Sequence, residues 1–308
     1  MLSRLFAPAK VRSVLFISLS NIGDVVLTFP VFDALCEAYP DALFSVIVSA
    51  KAKAFFEGNP RVKRVHILEK QTGIPSKVRW ILELRRDKFD LVVDLRNSML
   101  PFLTRSRRRT RPVFAGESVG HMRDKHLRRL QTVLKDIPLP QNRHALFWDK
   151  SEKLAVDGLL AGCARFVIVA PGAADDRKRW TDSGFVEVIR YLKDVRGLNV
   201  ILVGDRKDAG IAGGILKSVP DGVVNLCGRT SLKELALVLS KARLAVVNDS
   251  GIMHLASYLN IPTVALFGPT DPLVYGPWGK KACVVRSASG RMSDLAMDDV
   301  LNAVKGMA

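Results

Sequence analysis

The chain has 308 residues, 48% of them hydrophobic, enough for two medium-sized cores, so two domains are expected at roughly 100 to 200 residues each. Its 47 Lys and Arg against 30 Asp and Glu give a formal charge of +17, which draws polyanions (nucleic acid, an anionic membrane, phosphorylated substrates) without choosing among them. Cys36, Cys163, Cys227 and Cys283 lie far apart, with no C-x-x-C pair and no His at ligand spacing, so neither a disulfide framework nor a zinc site is indicated.

The longest apolar runs, at 14–17, 166–170 and 263–267, fall far short of the ~20 residues of a membrane helix. Arg4, Lys10 and Arg12 precede a brief apolar run, but Ser18, Ser20 and Asn21 interrupt it and no A-x-A-like cleavage site follows, so no signal peptide is expected. The sequence reads as a cytoplasmic protein resting on the inner leaflet through its basic face, since anionic lipid attracts roughly 1 kcal/mol per nearby Lys or Arg.

In chain order, residues 11–19 predict a strand and 24–39 a helix. Strands at 43–49, 62–68 and 91–95 then alternate with helical patterns at 51–57 and 76–87, the rhythm of a parallel sheet. Near-continuous apolar strands suit a sheet covered on both faces. Residues 104–150 lose the rhythm: Arg105, Arg107, Arg108, Arg109 and Arg111 crowd together, Arg123, Lys125, Arg128 and Arg129 follow, and Pro138 and Pro140 come next. This stretch reads as an irregular segment leading to a linker, either a merely solvated face or an anion contact. The boundary is set near 155, giving domains 1–155 and 156–308.

Strands at 166–170, 200–203, 223–226, 244–247 and 263–267 then predict a second doubly wound sheet. Residues 293–304 form an amphipathic last helix. Two such domains place a ligand crevice at the carboxyl ends of their strands.

Four turns at those ends carry candidate chemistry. In Ser20-Asn21-Ile22-Gly23-Asp24, Gly23 permits a tight turn and Asp24 stands at a helix start, where capping and general-base catalysis both remain open. Pro171-Gly172-Ala173-Ala174 leads to Arg177, Lys178 and Arg179, cations suited to a leaving diphosphate or simply to a solvated loop, before a helix capped around Thr181 or Ser183. Asn248-Asp249-Ser250-Gly251 opens a helix whose free amides suit phosphate, with Asp249 available to sugar hydroxyls; a plain capped helix and a core histidine at His254 are the bland alternatives. Gly268-Pro269-Thr270-Asp271-Pro272 is explained mostly by turn chemistry. There is no G-x-G-x-x-G after a strand, no Walker motif, no H-E-x-x-H and no D-x-D, the usual marks of dehydrogenases, P-loop NTPases, zinc proteases and metal-dependent sugar transferases.

Together these motifs, in this order over about residues 11–280, resemble the ADP-heptose:lipopolysaccharide heptosyltransferases of glycosyltransferase family 9. The resemblance implies an α/β fold of GT-B type, two Rossmann-like domains facing a central cleft. The N-terminal domain would bind the lipopolysaccharide core acceptor and the C-terminal one the ADP-heptose donor. It implies an inverting transfer with no cofactor and no essential metal. Asp24 matches the general base and Lys178 the diphosphate lysine. Gly172, Ala173, Ala174, Asp249, Ser250, Gly251 and His254 match the donor site, Asp208 the residue that holds the ribose, and Gly23 and Arg123 the acceptor side. Where the family commonly reads Asp-x-Gln-Gly, this chain has Asp94-Leu95-Arg96-Asn97. The competing classes are a basic nucleic-acid-binding protein, which lacks any recognition motif with interleaved aromatics, a non-catalytic sugar binder, and a transferase of a different nucleotide sugar. The family reading expects no nucleic-acid partner.

Overall fold

The computed structural model describes residues 11–68, 73–112, 120–135, 137–279 and 281–308. Arg4, Lys10 and residues 113–119 of the expected irregular segment lie outside them. The chain divides into two compact units, 1–147 and 148–308.

In the first unit β1 (Ser13–Ile17) leads to α1 (Ile22–Ala38), β2 (Leu43–Val48), β3 (Val62–Ile67), α2 (Ile74–Arg86), β4 (Phe89–Asp94), α3 (Leu100–Leu103), β5 (Ser106–Arg109) and α4 (Met122–Gln131). The strands form one parallel sheet in the order β3-β2-β1-β4-β5. Helix α1 is apolar on nearly every side, so it is buried rather than amphipathic, and residues 25–36 are all out of solvent. Phe32 fixes it, with its ring 5.4 Å from Phe16 and 4.7 Å from Phe44.

Two expectations are corrected by these elements. Residues 51–57 make no α-helix but a short 3-10 turn at Ala50–Phe55. The stretch expected to be irregular holds both β5 and α4. Strand β5 escapes an apolar search because it reads Ser-Arg-Arg-Arg: it lies at the sheet edge, where charged side chains are tolerated and block further pairing.

The second unit runs α5 (Lys150–Leu159), β6 (Phe166–Ala170), α6 (Asp182–Arg190), β7 (Asn199–Leu202), α7 (Ala209–Ser218), β8 (Val223–Asn225), α8 (Leu232–Ser240), β9 (Leu244–Asn248), α9 (Gly251–Leu259), β10 (Thr263–Phe267), α10 (Pro272–Tyr275), β11 (Ala282–Arg286) and α11 (Met297–Met307). Its six parallel strands follow the order β11-β10-β9-β6-β7-β8. Strand β11 (Ala-Cys-Val-Val-Arg), only partly buried at one edge of this sheet, is a further element beyond the expected strands. Helix α11 starts at Met297, later than expected, and buries Val300 and Val304 against β10, β11 and α6 of this same unit.

The division at 147/148, rather than 155/156, has a local cause. Asp33 Oδ1 accepts the His144 and Ala145 amides at 2.7 and 2.8 Å, and Glu37 accepts those of Gln141 and Asn142, which ties this segment to α1. From Trp148 onward the partners change. Trp148 Nε1 donates to the Lys233 carbonyl at 2.8 Å, Asp149 closes a capping box on α5, and Lys233 Nζ lies 2.7 Å from Glu152.

Candidate functional site

In each sheet the strand order reverses once, between β1 and β4 in the first and between β6 and β9 in the second. Loops leaving the carboxyl ends of such a pair diverge to opposite faces and leave a crevice between them, where ligands of doubly wound folds bind. The turns at 20–24, 171–174 and 248–251 leave β1, β6 and β9, the stretch Asp94-Leu95-Arg96-Asn97 leaves β4, and the turn at 268–272 leaves β10.

In the first unit, Asp24 is not the cap of α1. Asn21 occupies that position, Gly23 is second in the helix and Asp24 third, half-buried, with Asn21 Nδ2 donating to Asp24 Oδ2 at 2.9 Å. The simple capping account is thereby corrected: Asp24 meets a side chain rather than the backbone of the cap, and one carboxylate oxygen has no such tether. The loop before it is pinned from two neighbouring strand ends. Ser49 Oγ donates to the Ser20 carbonyl at 2.5 Å, and Arg96 Nη1 donates to Ser20 Oγ at 2.7 Å.

At the end of β4, Asp94 is 1% exposed and folds the turn on itself, Oδ1 accepting the Arg96 amide at 2.8 Å and Oδ2 the Ser98 amide at 2.6 Å. Asn97 has φ 61°, a conformation that Gly adopts freely and that Asn tolerates best among L residues, so the turn has a local reason for Asn at this position. Arg123 lies in the first turn of α4, a helix packed on α1, with its guanidinium on the neighbouring Asp124 carboxylate at 2.6 and 2.8 Å.

The expected basic stretch is two populations. Arg108 Nη2 donates to the Val133 carbonyl and Arg109 Nη1 to that of Pro101, at 2.6 and 2.9 Å, so both serve the fold. Arg105, Arg107, Arg111 and Arg128 are exposed.

In the second unit Lys178 ends a single 3-10 turn after β6, and its Nζ lies 2.8 Å from Asp249 Oδ2, just past β9. Asp249 is 6% exposed, and its amide extends the sheet by donating to the Leu266 carbonyl. Arg177 instead turns onto Asp175, whose carboxyl its side chain and amide hold down at about 2, and Arg179 reaches Asp176. Of the three cations, Lys178 alone meets the β9 turn among the described contacts. Thr181 caps α6, Oγ1 accepting the Gly184 amide.

Asn248, wholly buried, is a positioning residue that the sequence presents only as part of its turn. Its Nδ2 donates to the Pro171 carbonyl at 2.8 Å and its Oδ1 accepts the Trp180 amide, so one side chain ties the β6 loop to the end of β9 at both of that loop's ends. A polar residue ending an otherwise apolar strand was the signal.

Gly172 lies against Asp208, where an added Cβ would meet Oδ1 at 2.1 Å. Asp208 Oδ2 accepts the Asp205 amide at 2.8 Å, and burial raises its carboxyl above the usual carboxylate range. Ala173 and Ala174 follow, half-buried and exposed.

Ser250 holds the cap position of α9 without a side-chain capping bond, and its buried Oγ has no hydrogen-bond partner. The simple capped-helix account therefore fails at this turn too. His254 is 5% exposed and stacks on Trp278 with ring centroids 6.1 Å apart, while Ser257 Oγ accepts the Trp278 and Gly279 amides. Asp271 caps α10, as turn chemistry leads one to expect.

Two doubly wound parallel sheets, with polar turns gathered at each reversal of strand order, define a two-domain α/β architecture with ligand-binding turns in both units. The family model for glycosyltransferase family 9 (heptosyltransferase) matches residues 78–305, and the chain belongs to that family. It is 27% identical to lipopolysaccharide heptosyltransferase 2 of Salmonella typhimurium over 90% of this chain and 88% of the relative. It is also 27% identical to lipopolysaccharide heptosyltransferase 1 of Pseudomonas aeruginosa, over 87% and 81%. The solved structure of Escherichia coli ADP-heptose lps heptosyltransferase II superposes with a TM-score of 0.79 at 25% identity, covering 96% of this chain and 98% of that one. The fold is accordingly of the GT-B type, and the chain is a glycosyltransferase.

Proposed function

We propose that this glycosyltransferase moves a heptose from ADP-heptose onto the inner core of lipopolysaccharide, with inversion and without an essential metal or cofactor. The observation that carries the reading is the Lys178–Asp249 pair beside the open amides of Ser250 and Gly251: a cation and a helix N-terminus at one strand reversal suit a leaving diphosphate. The names of the relatives support heptose as the sugar. The donor unit is the second, with Gly172, Ala173, Ala174, Asp208, Asp249, Ser250, Gly251 and His254 around the nucleotide sugar. The acceptor unit is the first, with Gly23 and Arg123.

Asp24 takes the proton from the acceptor hydroxyl as that oxygen attacks the anomeric carbon. The sugar–phosphate bond breaks as the new bond forms, and Lys178 with the α9 amides receives the charge left on ADP. The protein works in the cytoplasm against the inner leaflet. No helix among the described residues is long and apolar enough to cross a membrane, and the exposed arginines suit contact with an anionic surface. The test is to incubate the protein with ADP-heptose and with other nucleotide sugars, using truncated lipopolysaccharide cores as acceptors, and to read product masses. A mass gain from another sugar alone overturns heptose as the donor.

A further inference from the structure

A cavity of ≈ 440 Å³ opens in the first unit where the chain leaves β3 and β4. Its walls are Ile67, Leu68, Trp80, Ile81 and Leu100, contributed by β3, α2 and α3. Leu68, Trp80 and Leu100 pack one side against the core cluster around Leu15 and Ile17 and stay half-buried, so apolar surface remains on the side facing the cavity. The volume falls in the range of small-molecule sites, roughly 300 to 1,000 Å³.

Among the described residues the charged part of the lining has one sign: Lys77 and Arg96 border the cavity, beside Ser76 and Ser98, and no carboxylate does. Arg96 spends one guanidinium nitrogen on Ser20 Oγ, which links the cavity to the loop that precedes α1 and Asp24. The surface around α2 and α3 has the same character. Val78 and Leu82 are 48% and 54% exposed, and Met99 and Phe102 67% and 47%. Exposed Arg79, Arg85 and Arg86 accompany them on α2 against the single acid Glu83. Exposed apolar side chains interleaved with cations suit an anionic lipid interface better than bulk water.

We propose that this cavity is a subsite for an anionic amphiphile: one acyl chain lies against Trp80, Ile81 and Leu100, and the charged head group meets Lys77 and Arg96. The inference deepens the acceptor reading above and rests on it only for the step that makes the acceptor's own lipid the ligand. A bare sugar would leave the apolar walls uncovered, and a neutral chain would leave the two cations without a partner.

The full chain is titrated with dodecyl phosphate below its micelle concentration, with dodecyl maltoside and with inorganic phosphate, by calorimetry and tryptophan fluorescence, with no donor present. Dodecyl phosphate is expected to bind saturably and at least tenfold more tightly than either of the others. Lys77→Gln, a change on an exposed helical position, and Arg96→Gln should each weaken dodecyl phosphate severalfold and leave dodecyl maltoside unchanged. Ile81→Trp, which fills the cavity, should abolish binding, and Trp80→Phe should reduce the fluorescence response. Equal affinity for the charged and neutral amphiphiles, or binding indifferent to Ile81→Trp, overturns the proposal.

The source of the ligand is read separately. A lower KM for an acylated than a deacylated acceptor, lost in Ile81→Trp, assigns the chain to the acceptor. Equal KM values, with phosphatidylglycerol vesicle binding lost in Ile81→Trp, assign it to the membrane. Binding of dodecyl phosphate by a protein that transfers no heptose sinks the transferase reading alone. Heptose transfer by a protein indifferent to dodecyl phosphate sinks the subsite alone.

Discussion

Lys178 Nζ and Asp249 Oδ2 stand 2.8 Å apart, joining the turn after β6 to the turn after β9 across the reversal of strand order. The carboxylate is almost fully buried and the ammonium about one-third exposed, at 5% and 32% by side chain. A buried carboxylate needs such a partner, so in the free protein the pair holds the two turns in register. A lysine held this way is already placed where a diphosphate would arrive.

Lys178→Ala should therefore lower kcat by about 10² to 10³, the usual loss for one preorganised donor. It should also lower stability by about 1 to 3 kcal/mol, because Asp249 loses its charged partner. Combined with Asp249→Asn, the losses should be less than additive, with a coupling of about 0.5 to 3 kcal/mol in a double-mutant cycle of kcat/KM. EDTA should have little effect. Activity abolished by EDTA and restored by Mg²⁺ or Mn²⁺ would assign the leaving-group charge to a metal and withdraw it from Lys178.

The arginines of residues 105–129 should separate into two classes. Arg108→Ala and Arg109→Ala remove charged donors from the backbone carbonyls of Val133 and Pro101, and each should cost about 1 to 3 kcal/mol in urea unfolding. Arg105, Arg107, Arg111 and Arg128, changed together to Glu, should leave stability nearly untouched and raise the acceptor KM, most strongly at low ionic strength where screening is weak. An acceptor KM that does not move at low salt would return these side chains to a solvated face.

Much of this arrangement is legible in the sequence, for a physical reason. Strands buried on both faces, such as β6 with Phe-Val-Ile-Val-Ala, announce themselves as apolar runs, and the turns at their carboxyl ends carry the Gly, Asp and Ser residues that a sharp turn requires. An edge strand needs no such run: β5 reads Ser-Arg-Arg-Arg and gives no apolar signal, whereas the edge strands β3 and β8 keep enough Val and Ile to be read. The position of Asp24 in α1 turned on one residue, because the helix begins at Ile22 and Asn21 takes the cap. The role of Asn248 was hidden because its partners, Pro171 and Trp180, are remote in sequence. The same holds for the partition of the arginines, whose carbonyl partners only the folded chain brings near.

His126 gives α4 a pH dependence. Burial, then Arg129 and His121, push its pKa from 6.5 down to about 4, and its buried Nε2 has no hydrogen-bond partner. The folded state keeps this imidazole neutral while the unfolded chain protonates it near 6.5, so the unfolded state binds more protons between those values. Stability contributed by this site is complete above about pH 6.5 and falls as the pH drops toward 4, by up to about 3 kcal/mol. Urea unfolding at pH 7 and at pH 4.5 should show a smaller acid-induced loss in His126→Leu than in the wild type. Equal losses in both would mean that His126 is not the group responsible.

Asp24 decides the mechanism. It stands third in α1, where a carboxylate gains only about 0.3 to 1 kcal/mol from the helix dipole. Replacing it by Asn keeps the shape and a hydrogen-bonding oxygen, so a purely structural role predicts a small stability change and near-normal turnover. As a general base it contributes about 10² to 10⁴ in rate, and Asp24→Asn should lower kcat by that factor while the affinity for ADP-heptose, measured by calorimetry without acceptor, stays within twofold. Asn21→Ala separates the two accounts further. It removes the donor 2.9 Å from Asp24 Oδ2 without removing the carboxylate, so it should cost only part of the rate, through loss of positioning. Turnover of Asp24→Asn within a few-fold of wild type would leave the acceptor proton without an assigned base and reduce Asp24 to a helix-end residue.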